Sequence, residues 1–216
     1  MFPAPDSGRD ASAVAASLGA LTRLPHPVLT RIHADGRAAG VPVVDALTGA
    51  LLHTLAAAIG AGAVLEIGTA LGASTVWLGT ALPASGLLVS LERDHGRATA
   101  ARAALAEAGL DDRVNVMIGE ADRYLHKLAG PFDLIFQDGD RTLYGPMLDK
   151  LAALLRAGGV LVTNHSLDGG ETTTVDHDAL ARFTAQLAGD TRFTSAFLPV
   201  GGGVSLSVKK QREDMP

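Results

Sequence analysis

Five short runs of branched and apolar residues recur along the middle of the chain: "AVLEI" (63–67), "LLVSL" (87–91), "VNVMI" (114–118), "FDLIF" (132–136) and "GVLVT" (159–163). Runs this brief and this continuous are what strands buried on both faces of a sheet require. Between them the apolar positions fall at helical spacing and predict helices over 74–82, 95–108, 122–129 and 146–156, with Gly109 and Gly158 placed as C-terminal stops. Two further helical patterns, over 13–33 and 45–59, precede this alternation. A helix over 177–187 follows it, and then two strands, "TSAFLPV" and "GVSLSVK", flank "GGG" as an antiparallel hairpin. Strand and helix in strict alternation predict an α/β fold, a doubly wound sheet that is mostly parallel and closes with the C-terminal hairpin. Ligands of such sheets bind at the carboxyl ends of the strands.

With 216 residues, 47% of them hydrophobic and 19% charged, the chain can bury one substantial core. The expected organisation is a loose tail over 1–12, with prolines at 3 and 5, followed by a single domain over 13–216. The stretch "ALTGALLHTLAAAIGAGAVL" (46–65) has the length of a bilayer span and no formal charge. His53, two threonines and three glycines dilute it, and Gly60 and Gly62 divide it into the end of a helix and the start of a strand, so no membrane span is expected. A net charge of -5 and a pI near 5.7 supply no basic field toward a phosphate backbone. Small molecules are the expected partners and nucleic acid is not. The absence of cysteine excludes disulfides, thiolate metal sites and a thiol nucleophile, and it suits a reducing cytoplasm. The start "MFPAPDSGRD" lacks the basic and apolar pattern of a secretion signal, so a cytoplasmic location is expected.

The candidate chemistry begins at "VLEIGTALGAST" (64–75), where the first strand turns into its helix. Gly68 and Gly72 allow a tight turn and leave room for a ligand against bare backbone. The spacing is G-x-x-x-G rather than the G-x-G-x-x-G of dinucleotide sites, and Glu66 beside it would repel a pyrophosphate. That argues against a nicotinamide dehydrogenase. S-adenosylmethionine, which carries an ammonium and a sulfonium and no phosphate, tolerates such an acid, while Ser74 and the helix-start amides can hold its carboxylate. Glu92 ends the second strand, 24 residues after Gly68, where a carboxylate can accept from both ribose hydroxyls. Each acid also has a plainer reading: Glu66 as a helix-dipole partner, Glu92 as a strand-end carboxylate in water.

These residues resemble the cation-dependent class I O-methyltransferases, the family of catechol and caffeoyl-coenzyme A O-methyltransferases and their bacterial relatives. The likeness runs from about residue 40 to the carboxyl terminus. "LEIGTALGAS" is similar to the family's LEIGTxxGxS loop and implies cofactor contacts from Glu66, Gly68, Thr69, Gly72 and Ser74. Glu92 matches the ribose acid. "IGEA" resembles the adenine segment and implies Gly119, Glu120 and Ala121 beside the base, and "GVPVVDALTGALL" implies a backbone contact near Val44. The resemblance further implies a Rossmann-like sheet of seven strands, a homodimer and Asp138 near both cofactor and reaction.

The chain departs from the family where the metal should sit. Members carry D-A-D-K after the fourth strand and D-N after the fifth; here the segments read "DGDR" and "NH", at unchanged spacing. Asp138 is retained, Asn164 stands in place of the second carboxylate, and His165 replaces the asparagine. One lost anionic ligand weakens the attraction for a hard cation, so magnesium is not expected. Asp138, Asn164 and His165 would still make a set for manganese, iron or zinc. Arg141 occupies the position of the family's lysine base, and a guanidinium with a pKa above about 12 cannot take a proton. It can pair with an oxyanion, or with Asp138 or Asp140 in a surface ion pair. His165, the nearby group that titrates near neutrality, is the candidate base. The expected activity is S-adenosylmethionine-dependent O-methylation of a small hydroxylated acceptor, with His165, Arg141 and Asp138 at the reacting centre. The alternative is a cofactor-binding sensor, or an inactive dimer partner, without catalysis.

Overall fold

The computed structural model describes residues 17–165 and 174–211. The tail expected over 1–12 lies outside them. In chain order the elements are α1 (Val28–Ala39), α2 (Ala46–Ala58), β1 (Ala63–Ile67), α3 (Ala73–Ala81), β2 (Leu87–Glu92), α4 (His95–Glu107), β3 (Val114–Ile118), α5 (Ala121–Leu125), β4 (Phe132–Gln137), a 3-10 turn (Arg141–Leu143), α6 (Tyr144–Leu154), β5 (Leu155–Asn164), α7 (Thr174–Gly189), β6 (Phe193–Leu198) and β7 (Val204–Lys209). The seven strands form one sheet in the order β3-β2-β1-β4-β5-β7-β6. β1 to β5 run parallel; β7 pairs antiparallel with both β5 and β6. The expected α/β architecture, including the closing hairpin, is the one found.

The alternation of side chains along the strands divides the apolar interior in two. Val64, Leu88, Leu134, Phe136 and Val162 meet α1 to α4 on one face, with Leu29, Leu52, Trp77 and Leu105 among the buried partners. Leu65, Leu91, Ile135 and Leu161 meet α5 to α7 on the other, against Leu125, Leu148, Phe183 and Leu187. Apolar cover on both sides is what continuous apolar strands demand. At the amino-terminal edge, Asp133 accepts from the amides of Gly62 and Ala63 at 2.8 Å each, and Arg156 bonds its other oxygen. This clamp leaves the opposite, carboxyl-terminal edge as the one that opens.

Four expected elements shift their boundaries. The pattern over 13–33 is broken before Val28, where Pro25 and Pro27 interrupt the main-chain ladder, and α1 continues instead to Ala39. The helix expected over 122–129 stops at Leu125, because Gly130 must lie directly against the Leu154 backbone and draws the chain out toward β4. α6 ends two residues short of Arg156, and β5 begins at Leu155 rather than Gly159, with an irregular register opposite Phe132 and Leu134.

Candidate active site

A cavity of about 420 Å³ opens at the carboxyl ends of β1, β2, β4 and β5. Its floor is the loop from Gly68 to Gly72. Gly68 has φ +97, and a Cβ there would collide with the Asp138 carbonyl; Gly72 has φ +89 and faces Ala101 of α4 at 3.3 Å. Both glycines are therefore required by the backbone that crosses them. Ala70 also takes a positive φ of 46, and its amide donates to Glu92 Oε2 at 2.8 Å. The loop turns tightly enough to leave the first amides of α3, at Ala73 and Ser74, facing the cavity without intrahelical acceptors. That is a cradle for a carboxylate.

Glu66 is placed behind this loop, fully buried and outside the cavity wall. Its Oε2 accepts from Thr75 Oγ1 at 2.6 Å and from Ser90 Oγ, Ser74 also bonds it, and Thr69 Oγ1 joins Ser90 Oγ. Glu66, expected to contact the cofactor, is placed here with its carboxylate organising the hydroxyls beneath the loop. Burial raises its pKa, opposed by those hydroxyl hydrogen bonds, and its Oε1 has no partner among the described residues.

Glu92 does line the cavity, only 6% exposed. Its Oε1 accepts from Asp94 N at 2.9 Å and its Oε2 from Ala70 N, so two main-chain donors aim the carboxylate while leaving each oxygen capacity to accept again. Gly119 donates to the Glu92 carbonyl at 2.8 Å and lies, with Glu120 and Ala121, along the same wall. Val44, Thr69 and Ser74 complete it. The structure thus brings together every expected cofactor residue except Glu66, which stands behind them, and Gly72, whose place is the helix start.

The other end of the cavity gathers Asp138, Arg141, Asn164 and His165. His165 is 35% exposed at its side chain and adopts φ +52, a conformation in which the strand end turns its ring into the cavity. Nε2 lies 3.8 Å from Asp138 Oδ1. Gly202, in the β6–β7 hairpin, packs against the ring so closely that a Cβ there would overlap Nδ1. Burial and the charge of Arg141 hold the imidazole below its ordinary pKa, with Asp45 pulling the other way, which favours the neutral form that can accept a proton. Enclosure raises Asp138 to about 7 against the Asn164 hydrogen bond and the Arg141 charge, with Glu66 adding to the rise. Arg141 makes no ion pair with Asp138 or Asp140 among the described residues; Asp140 is taken by Arg93 at 3.3 Å and by Thr142.

The family model for O-methyltransferases matches residues 32–210. The chain belongs to the O-methyltransferase family. It is 39% identical over 170 residues to a catechol O-methyltransferase of Mycobacterium tuberculosis, covering 76% of this chain and 77% of that one. Among solved structures it resembles the O-methyltransferase TomG from Streptomyces achromogenes, in complex with SAM (TM-score 0.81, 29% identity, 92% of this chain and 96% of that one). An O-methyltransferase from Bacillus cereus in complex with SAH is equally similar in shape (TM-score 0.81, 28% identity, 92% and 97%). Membership makes S-adenosylmethionine-dependent O-methyl transfer the activity of this chain.

In this O-methyltransferase the donor set holds one carboxylate where the resemblance implied two. Asp138 is the one carboxylate of the three, Asn164 turns its amide toward Asp138 and leaves Oδ1 buried without a partner among the described residues, and His165 contributes a nitrogen. Among the described residues no group of three or more His, Cys, Asp or Glu is arranged to hold a metal ion. Sequence reasoning missed Asp45, Leu143, Met147, Gly201 and Gly202, all of which line the O-methyltransferase cavity. Asp45 carried a signal, since it caps α2 through Thr48 N at 2.8 Å, but nothing local shows which cavity that cap faces. The three consecutive glycines carried another, being more than a hairpin turn needs.

Proposed function

We propose that this O-methyltransferase methylates a hydroxyl of a small acceptor without a hard divalent cation. The observation that carries the reading is the arrangement of groups at the acceptor end, where the described residues supply an imidazole held below its ordinary pKa, a guanidinium without an ion-pair partner and one acidic side chain beside them. When bound, S-adenosylmethionine supplies a methyl group on sulfonium sulfur, the carbon–sulfur bond breaking as the carbon–oxygen bond forms. His165 takes the hydroxyl proton on Nε2. Arg141 supplies positive charge to the oxygen that loses it, and Asp138 borders both halves of the site. The remaining task is alignment, for which oriented reactants gain effective molarities of about 10⁵–10⁸ M.

For the cofactor we assign Val44, Gly68, Thr69, Gly72, Ser74, Glu92, Gly119, Glu120, Ala121 and Asp138, with Glu66 acting through the loop it supports. The two backbone donors on Glu92 and the open amides of α3 support that assignment. The test is methyl transfer from labelled S-adenosylmethionine across a panel of hydroxylated small molecules, catechols included, in excess chelator. Product formation is expected. Cofactor binding with no product on any acceptor would instead indicate a cofactor-binding protein that has lost catalysis.

We further propose a single domain that forms a homodimer in the cytoplasm. Leu21, 78% exposed on the segment before α1, supports a contact through the helices preceding the glycine loop. No described helix is long and apolar enough to cross a membrane. Light scattering at micromolar concentration is expected to give twice the monomer mass of 22.1 kDa.

A further inference from the structure

Arg141 is a half-buried cation of the cavity with no ion-pair partner among the described residues. Of the other two cationic residues on its wall, Arg97 lies on the exposed rim and Arg93 reaches Asp140 at 3.3 Å. The acids nearest Arg141 are committed elsewhere. Asp140 accepts from Thr142 N at 3.0 Å and Thr142 Oγ1 at 2.6 Å as well as from Arg93. Asp45 accepts from Thr48 N at 2.8 Å and Thr48 Oγ1 at 3.2 Å, and Asp138 faces Asn164 and His165. Among the described residues no carboxylate lies within ion-pair distance of the Arg141 guanidinium.

A guanidinium enclosed beside apolar side chains is poorly solvated until an anion completes it. Its planar fork matches a carboxylate with two parallel hydrogen bonds, whereas a single alkoxide oxygen uses half of it. The oxygen being methylated needs only one edge of the fork, so the remaining N–H donors stay open. A second, standing anion on the acceptor satisfies the fork and leaves the hydroxyl free to meet His165. Leu143 and buried Met147, with Val43 across the cavity, line the same end and suit an apolar body between the two groups.

We infer that the acceptor is a hydroxy acid: a small apolar body bearing both the hydroxyl to be methylated, placed at His165, and a carboxylate paired to Arg141. This rests on the methyl-transfer reading above and narrows its substrate class. Arg141 then selects the acceptor by charge, a role apart from proton removal.

The experiment is calorimetric titration of the protein saturated with S-adenosylhomocysteine, using 3,4-dihydroxybenzoate and 3,4-dihydroxybenzyl alcohol, which share a shape and differ in charge. The benzoate is expected to bind about 10- to 100-fold more tightly, the worth of hydrogen bonds to a charged group. Arg141→Gln should abolish the preference and leave S-adenosylhomocysteine affinity unchanged, and Arg141→Lys should keep part of it. Equal binding of the two acceptors, a preference that survives in Arg141→Gln, or binding of neither would overturn the hydroxy-acid assignment alone. Failure of S-adenosylhomocysteine itself to bind would bring down the methyl-transfer reading and this inference with it.

Discussion

The two ends of the cavity are built by different means. At the cofactor end, main-chain hydrogen bonds fix nearly every part: Ala70 N and Asp94 N hold Glu92, Gly119 N holds the Glu92 carbonyl, and Gly68 N holds the Leu91 carbonyl at 2.9 Å. At the acceptor end the parts are side chains at a strand end and in the turns after the strands. His165 sits at positive φ, Asn164 Oδ1 is buried without a partner, and Arg141 pairs with nothing among the described residues. Backbone fixes a shape that many side chains can share, whereas loop side chains can be exchanged without disturbing the sheet. The departures from the family's metal motif all fall in the second class.

The strongest way to break the comparison is at the floor of the first end. Gly68→Val would place a branched side chain where the Asp138 carbonyl lies, at a φ such residues do not adopt, and should destabilise the fold by about 3 kcal/mol or more. Urea denaturation checks this; native stability in the variant would show that the two loops are not in contact. At the second end the expected loss is in rate. His165→Ala should lower kcat by about 10²- to 10⁴-fold, the usual worth of a general base, and leave cofactor affinity intact. Steady-state kinetics beside cofactor titration separates the two quantities, and an unchanged kcat would remove the base from His165.

The same division explains what the sequence made legible. The five parallel strands could be read because each must be apolar on both faces, and the hairpin because glycines interrupt two alternating runs. Glu92 and the Gly68 loop were legible because strand end, turn and helix start are consecutive in the chain. The place of Glu66 behind the wall follows from contacts that only the third dimension supplies: in the same run of residues, it faces Thr75 and Ser90 while Gly68 faces Asp138. Gly202 and Asp45 were out of reach for a related reason, since each meets His165 from an element more than 35 positions away in the chain, and local spacing carries no record of that meeting.

Smaller effects sharpen the contrast. Glu92→Ala should weaken S-adenosylmethionine binding by about 1.5–3 kcal/mol, as expected for lost charge-assisted hydrogen bonds, and should do little to the acceptor KM. Calorimetry decides it; undiminished affinity would remove Glu92 from the ribose. Gly202→Ala should press on the His165 ring and cut kcat by about tenfold or more while cofactor affinity stays the same, because small misplacements near the reacting atoms are costly. The smallest expected change concerns pH. A base must be neutral to act, so kcat/KM should fall as pH drops through the His165 pKa, which lies below the ordinary imidazole value. Arg141 lowers that pKa, so Arg141→Gln should move the acid limb upward, by up to about one pH unit. Asp45 raises it, and Asp45→Asn should move the limb the other way.

The account's central claim is that the acceptor end replaces a hard cation with Arg141 and His165. The most direct measurement compares initial rates on one accepted substrate, at saturating S-adenosylmethionine, in excess chelator and in excess magnesium. Equal rates are predicted. A rate that vanishes in chelator and returns with magnesium would contradict the claim.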